Sequence, residues 1–256
     1  MKDTVVLYTW ITMGHLMPMV EFAKLLTKHG MSITVVIVEL RQNQNDSSFT
    51  SKTVSRFSAA NPTISFHVIP PSNDEEGIDA VFEKLHEANT PLSYLLRSIS
   101  ETCSVRALVM DFFCTYALDI ARQLDIPGYF FYTSGAYDLA MNMYCPTLDK
   151  TLDKNIGEMG NEKLYFPGLP PIPASHLPDH MHSRDNRAYK IVMYHYERFA
   201  QCDGILVNTF ESMEKKAVEA IKAGLCLPGQ YDGGIRVDSF LNNYLHFEPN
   251  ILSTDQ

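Results

Sequence analysis

The residue best placed to do chemistry in this sequence is His15, which follows the apolar run Val5-Val6-Leu7-Tyr8-Thr9 and the turn Trp10-Ile11-Thr12-Met13-Gly14. An imidazole where a strand hands over to a helix is a candidate general base. Its natural partner is a carboxylate, which fixes the tautomer and stabilises the cation formed on proton uptake. Asp111 offers one, closing the short apolar run Ala107-Leu108-Val109-Met110. If the first and fourth strands are neighbours at the switch point of a parallel sheet, His15 and Asp111 emerge side by side at their carboxyl ends. The helix N-terminus at His15 disfavours an imidazolium by about 0.3–1 kcal/mol and keeps the base free to accept a proton. The plainer alternative is that His15 caps a turn and Asp111 caps the next helix, with no chemistry at either.

The elements that must position this pair follow from pattern. Pro18 is tolerated only in a first turn, Met19, Phe22, Ala23 and Leu26 share a helical face, and Gly30 is a stop. Residues 32–40 then predict a second buried strand, completing a βαβ unit. A third strand is expected over 64–69 and a helical region over 78–100, interrupted at Pro91. The strand ending at Asp111 leads into a helix over 115–124, closed by Asp125-Ile126-Pro127-Gly128. Residues 129–132 form a fifth strand, Thr133-Ser134-Gly135 a turn, and 136–144 a helix. Five prolines in 166–178 (Pro167, Pro170, Pro171, Pro173 and Pro178) predict an extended crossing outside any sheet. Helices over 186–200 and 211–223 flank a sixth strand at 204–207, with Gly224 as the last cap. The fold class expected is α/β, a doubly wound, Rossmann-like parallel sheet over residues 1–230. From Tyr231 no helical or strand period survives, so 231–256 reads as a divergent, weakly ordered tail.

Composition narrows the function. A net charge of −9, without any cluster of five basic residues, argues against nucleic acid. The apolar opening is too short to span a bilayer and lacks a cleavage site, so no membrane partner is expected. Five scattered cysteines without a C-x-x-C pair suggest neither disulfides nor zinc and fit a reducing cytoplasm. His180-Met181-His182 has no third ligand at characteristic spacing and reads as a solvated loop. His195 reads by default as a helix-surface residue, with an aromatic pocket as its alternative. Met13, Met17, Met19, Met141 and Met143, with Phe112, Phe113 and Tyr137, supply either a plastic apolar cleft or ordinary core. The turn after the first strand lacks the G-x-G-x-x-G of nicotinamide-binding units, and Thr133-Ser134-Gly135 is not a G-x-S-x-G elbow.

Five segments together carry a family resemblance: Met13-Gly14-His15-Leu16, Val109-Met110-Asp111-Phe112-Phe113-Cys114, Phe131-Tyr132-Thr133-Ser134-Gly135-Ala136, Phe166-Pro167-Gly168-Leu169-Pro170-Pro171-Ile172-Pro173 and Val207-Asn208-Thr209-Phe210-Glu211. Over residues 5–230 the chain closely resembles plant family 1 UDP-glycosyltransferases, most nearly those acting on flavonoids and other phenolics. The resemblance implies the N-terminal half of a GT-B fold, with His15 as the base that deprotonates an acceptor hydroxyl and Asp111 orienting it. It also implies transfer of a sugar, glucose for choice, from a UDP-sugar with inversion. UDP-sugar is then a co-substrate; no resident cofactor and no metal are called for. By the same resemblance Thr12, Met13, Phe112, Tyr137, Met141 and Tyr194 line the acceptor cleft.

Two departures qualify it. Trp10, Ile11 and Thr12 replace the small polar pair the family carries before its G-H motif, which narrows the acceptor entrance. The family's second domain, with its tryptophans and H-C-G-W-N-S stretch, has no counterpart, since Trp10 is the only tryptophan. The chain therefore reads as an acceptor domain that catalyses only when a donor domain is supplied. The alternative is a non-catalytic small-molecule binding or interaction protein that keeps the cleft, or pairs with a full-length relative or with itself through an exposed apolar face.

Overall fold

The computed structural model describes residues 1–39, 46–71, 78–229 and 236–239. The described chain divides into two compact units, one containing residues 1–133 and the other residues 134–242.

The first unit is built on five parallel strands: β1 (Lys2–Trp10), β2 (Ser32–Val38), β3 (Ile64–Ile69), β4 (Cys103–Asp111) and β5 (Gly128–Tyr132), in the order β3-β2-β1-β4-β5. The order reverses beside β1, so the carboxyl ends of β1 and β4 define the switch point. Val6 pairs with Leu108 and Tyr8 with Met110, with a register shift between Thr4 and Val5. The near-continuous apolar runs follow from burial on both faces: Val5 through Tyr8 and Ala107 through Met110 are all buried.

Helix α1 (Met13–Lys28) returns the chain from β1 to β2. Its apolar face buries Leu16, Met19, Val20, Phe22, Ala23, Leu25 and Leu26, and Phe22 stacks on Phe131 of β5 at 5.4 Å. Pro18, expected in a first turn, instead stands inside the helix at its sixth residue, and Gly30, at φ +83°, supplies the left-handed residue that ends the return. Helix α2 (Asp46–Ala60) was absent from the sequence expectation. Over 51–60 it presents mainly exposed side chains, so it carries little of the apolar period that marks a helix. The expected break at Pro91 falls earlier. Helix α3 (Ile78–Glu87) ends before Ala88, and Pro91 lies in the first turn of α4 (Asn89–Thr102), where a missing N–H costs nothing. After β4, helix α5 (Ala117–Gln123), starting two residues later and ending one earlier than expected, leads through Asp125, at φ 54°, into β5. Gly128 is required there, because a Cβ would sit 2.7 Å from Leu118 Cδ1 and 3.3 Å from Ala121 Cβ.

In the second unit, α6 (Ala136–Thr151) runs two turns past the expected end at 144 and contains Pro146. An interior proline forfeits a helical hydrogen bond, and here packing and capping outweigh it. Cys145 and Leu148 join a buried apolar cluster with Ile156, Met159, Leu164 and Phe166. Arg184 holds the helix's last carbonyls, donating to Asp149 O at 2.7 Å and Leu152 O at 2.8 Å, while its Nε donates to Asp149 Oδ1 at 2.7 Å. The proline-rich crossing contains sheet after all: β6 (Lys163–Leu164) pairs antiparallel with β7 (Ile172–Pro173), since proline is admissible on an edge of a two-stranded ribbon. Gly168, at φ +78°, lies so close to the following helix that a Cβ would stand 2.5 Å from Lys216 O.

Helix α7 (Arg187–Arg198) starts at Asn186, whose side chain accepts from Ala188 N at 2.8 Å. Strand β8 (Gly204–Val207) matches its expected span and pairs in parallel with β9 (Arg236–Ser239), a strand inside the segment read as patternless. The rest of 231–256 lies outside the described residues. Helix α8 (Lys215–Lys222) begins four residues later than expected, because Glu214 is turned to another task.

That task is to cap α6. Glu214 Oε2 accepts from Ala136 N at 2.8 Å, Oε1 accepts from Tyr137 N at 3.0 Å, and the Thr209 hydroxyl donates to Oε2. Burial pushes the carboxyl up, but these three bonds together outweigh it and hold Glu214 below its ordinary value. A carboxylate at a helix N-terminus also opposes the positive end of the dipole. Glu214→Gln is therefore expected to destabilise the fold by about 1–2 kcal/mol at neutral pH, roughly 2–8 °C in Tm. Because the folded-state pKa is depressed, this contribution is present above the ordinary glutamate range and is lost as pH falls through the folded value. Thermal melts at pH 7 and near pH 4 should show the two proteins converging in acid; a constant gap would assign the loss to packing.

Candidate active site

At the switch point β1 hands over to α1 within Ile11 and Thr12. Thr12 stands in extended conformation at the helix N-cap, and its carbonyl accepts from His15 N at 3.0 Å and Leu16 N at 2.8 Å. This fixes His15 in the first turn, facing the end of β4. Gly14 is not strained, and a Cβ there would meet nothing within 4 Å.

His15 Nδ1 donates to Asp111 Oδ2 at 2.7 Å, and the other oxygen, Oδ1, accepts from Phe113 N at 2.9 Å. The carboxylate is thus held from both sides, and Nδ1 carries the proton, leaving the lone pair on Nε2. The Thr133 hydroxyl stands 3.5 Å from Nδ1. Asp111 has no exposed side-chain surface whereas His15 keeps 16% of its own, so a proton can reach the base but not the orienting group. Burial raises the Asp111 carboxyl above its ordinary value, opposed by the His15 and Phe113 hydrogen bonds.

Aromatic rings enclose the pair. Trp10 lies edge-on to His15 at 4.9 Å, Phe113 at 5.2 Å and Phe112 at 5.3 Å, with Phe112 against Tyr132 at 4.4 Å. Excluding water around a base strengthens its electrostatic coupling to the carboxylate. Of the residues expected in the acceptor cleft, Thr12, Met13 and Phe112 stand around His15 in the first unit, with Met13 well exposed. Tyr137, Met141 and Tyr194 belong to the second unit: Tyr137 and Met141 on α6, half-buried, and Tyr194 on α7, where its hydroxyl accepts from Arg198 at 3.2 Å. Sequence alone offers Phe113 as cleft or core and Trp10 as a residue narrowing the acceptor entrance, but sets neither ring against the base. An aromatic closing an otherwise aliphatic strand immediately before the G-H pair was the available signal.

His195 is buried, not on the helix surface, and burial with Arg198 nearby lowers it to about 3, so it stays neutral. His182 Nε2 bonds Leu177 O at 3.0 Å, while Met181 between the pair is core. Among the described residues no cluster of three metal-ligating side chains occurs. No described helix is long and apolar enough to cross a membrane.

No protein-family model matches the chain. Individual proteins do. The chain is 32% identical over 248 residues to anthocyanidin 5,3-O-glucosyltransferase of a Rosa hybrid cultivar, covering 89% of the chain and 50% of that protein. It is 32% identical over 241 residues to phloretin 2'-O-glucosyltransferase of Pyrus communis, again 89% of the chain and 50% of the relative. Among solved structures it resembles Phytolacca americana UGT2 complexed with UDP-2fluoro-glucose and pterostilbene, at 25% identity and a TM-score of 0.75, over 91% of the chain and 53% of that one. The fold is accordingly that of the Rossmann-like N-terminal half of a GT-B fold. The chain is similar to plant UDP-glycosyltransferases and spans about half the length of the curated relatives it matches.

Proposed function

We propose that this chain is the acceptor-binding half of an inverting, cytoplasmic UDP-glycosyltransferase, with residues 1–230 forming the acceptor domain. The observation that carries it is the 2.7 Å bond from His15 Nδ1 to the buried Asp111 carboxylate, which leaves Nε2 as the base at the switch point. In this reading Nε2 takes the proton of a phenolic hydroxyl as the oxygen attacks the anomeric carbon of a UDP-sugar. The bond from that carbon to the diphosphate oxygen breaks on the opposite face, UDP leaves, and the configuration inverts. Asp111 stabilises the imidazolium formed. UDP-glucose is the donor of choice, as a co-substrate, and the chemistry calls for no resident cofactor or metal. Thr12, Met13, Phe112, Tyr137, Met141 and Tyr194 are proposed to contact the acceptor.

A second reading rests on large apolar side chains exposed in the second unit: a non-catalytic binding protein that retains the cleft. Phe210, Met213 and Leu225, exposed at 43%, 75% and 56% in the second unit, would then serve association with a full-length relative or a second copy. Calorimetric titration separates the readings. The folded 256-residue chain should bind a polyphenol saturably and UDP-glucose not at all up to millimolar concentration, with transfer appearing once a donor half is fused to it. Binding of polyphenol without transfer in an otherwise competent fusion favours the second reading, and a folded chain that binds no phenol overturns both.

A further inference from the structure

Asp111 orients the base and also folds the chain that follows it. Its Oδ1 accepts from Phe113 N at 2.9 Å and its carbonyl from Cys114 N at 2.8 Å, a tight turn that ends β4. Consecutive side chains on a strand point to opposite faces. After this turn, however, Phe112 and Phe113 both reach the imidazole, with ring centroids 5.3 Å and 5.2 Å from that of His15. They lie flatter to it than Trp10 does, at 31° and 48° against 66°. The two phenyls stand 4.4 Å apart, and both are half-buried, so neither is sealed in the core. A phenyl face carries the negative end of the ring quadrupole and attracts a cation within about 6 Å of its centroid. Neutral imidazole gains little from that field. The attraction switches on when the base takes its proton, and an interaction strongest at that moment raises the rate.

We propose that Phe113, with Phe112 beside it, is a positioning residue for the reaction: its π face stabilises the imidazolium that His15 becomes on taking the acceptor proton. The new charge is then held between the Asp111 carboxylate at Nδ1 and the two rings. His15 keeps only 16% of its side-chain surface, so the rings supply part of the stabilisation that water would give an exposed cation. The attraction is worth about 2- to 30-fold in the equilibrium for proton uptake. The rings also exclude water, which works against the cation. The two effects have opposite signs and can be told apart. This rests on the reading of His15 as the base.

Phe113→3,4,5-trifluorophenylalanine keeps the shape of the ring and withdraws charge from its face. In the full chain the pH midpoint of the His15 nitrogen shifts should fall by about 0.7 unit, a roughly fivefold loss of proton affinity, with 4-fluorophenylalanine between. Phe113→Leu, as apolar as phenyl but without a π face, should move the midpoint the same way. Asp111 from β4 and Thr133 beyond β5 face the imidazole in every variant, and the Cys114 thiol, pushed well up by burial, stays neutral. Fused to a donor half, the trifluoro variant should turn over a phenol about two- to fivefold more slowly, with the KM for UDP-glucose unchanged. A midpoint that stays put or rises overturns the proposal and leaves the base reading standing, a rise assigning the rings to water exclusion alone. Unchanged turnover in a competent fusion overturns it as well. A midpoint that moves while no fusion turns over, substituted or not, overturns the reading of His15 as the base and the proposal with it.

Discussion

Fused to the donor-binding half of a plant UDP-glycosyltransferase, the chain carrying His15→Ala should turn over a phenolic acceptor about 10²–10⁴-fold more slowly than the unsubstituted fusion. That loss is about 2.7–5.5 kcal/mol of barrier. It follows from Nε2 carrying the lone pair of an imidazole whose other nitrogen is committed to Asp111 at 2.7 Å. The effect should fall on kcat and leave the KM for UDP-glucose unchanged, because His15 acts on the acceptor. A rise in KM for the acceptor with kcat intact would reassign His15 to binding, and unchanged turnover would remove it from the mechanism. The fold should survive, since His15 lies on the pocket side of α1 while Leu16, Met19 and Val20 hold the core.

Asp111→Asn should come close to the same loss, about 10²–10⁴-fold, without touching the base itself. Loss of an orienting carboxylate from a catalytic histidine has cost about 10⁴ where it has been measured. The amide oxygen can still accept from Phe113 N, the role Oδ1 plays at 2.9 Å, so the turn after β4 is kept. What remains against Nδ1 is an NH₂ group, which donates. The imidazole must then present a lone pair at Nδ1 and carry its proton on Nε2, where the acceptor hydroxyl needs a base. Nitrogen chemical shifts of His15 would read this exchange of tautomers directly. If turnover collapses while the tautomer stays as in the unsubstituted protein, Asp111 acts through folding instead.

The dyad was legible because two strong local patterns met one topological rule. β1 and β4 are apolar on both faces, α1 has a clean buried stripe, and the neighbouring of first and fourth strands then brings His15 to Asp111. Features that depend on distant packing were not legible. Pro146 marks a helix end locally, yet α6 continues because the buried cluster around Cys145 and Leu148 and the Arg184 clasp reward two more turns. Glu211 through Glu214 extends the polar period of α8, and only the free N–H groups of α6, nearly eighty residues away, draw Glu214 out of it. His195 sits among tyrosines on a helix of strongly mixed character, and nothing nearby in sequence announces that its side is the buried one. The enclosure of His15 by Trp10 and Phe113 has the same origin: it is visible only once β1 and β4 lie side by side.

The register of β1 also sets a timetable for the nascent chain. Lys2 lies opposite Cys103 and Tyr8 opposite Met110, so one of the two flanks of the central strand does not exist until more than a hundred residues have been made. At about 5–20 residues per second the ribosome takes roughly 5–20 s to deliver it. Through that interval the segment from Val5 to Tyr8, entirely interior in the finished protein, has only β2 for a neighbour. A bare apolar strand edge is an invitation to self-association. The first half of this polypeptide is therefore the stretch whose yield in cells should depend most on chaperones that shield emerging chains.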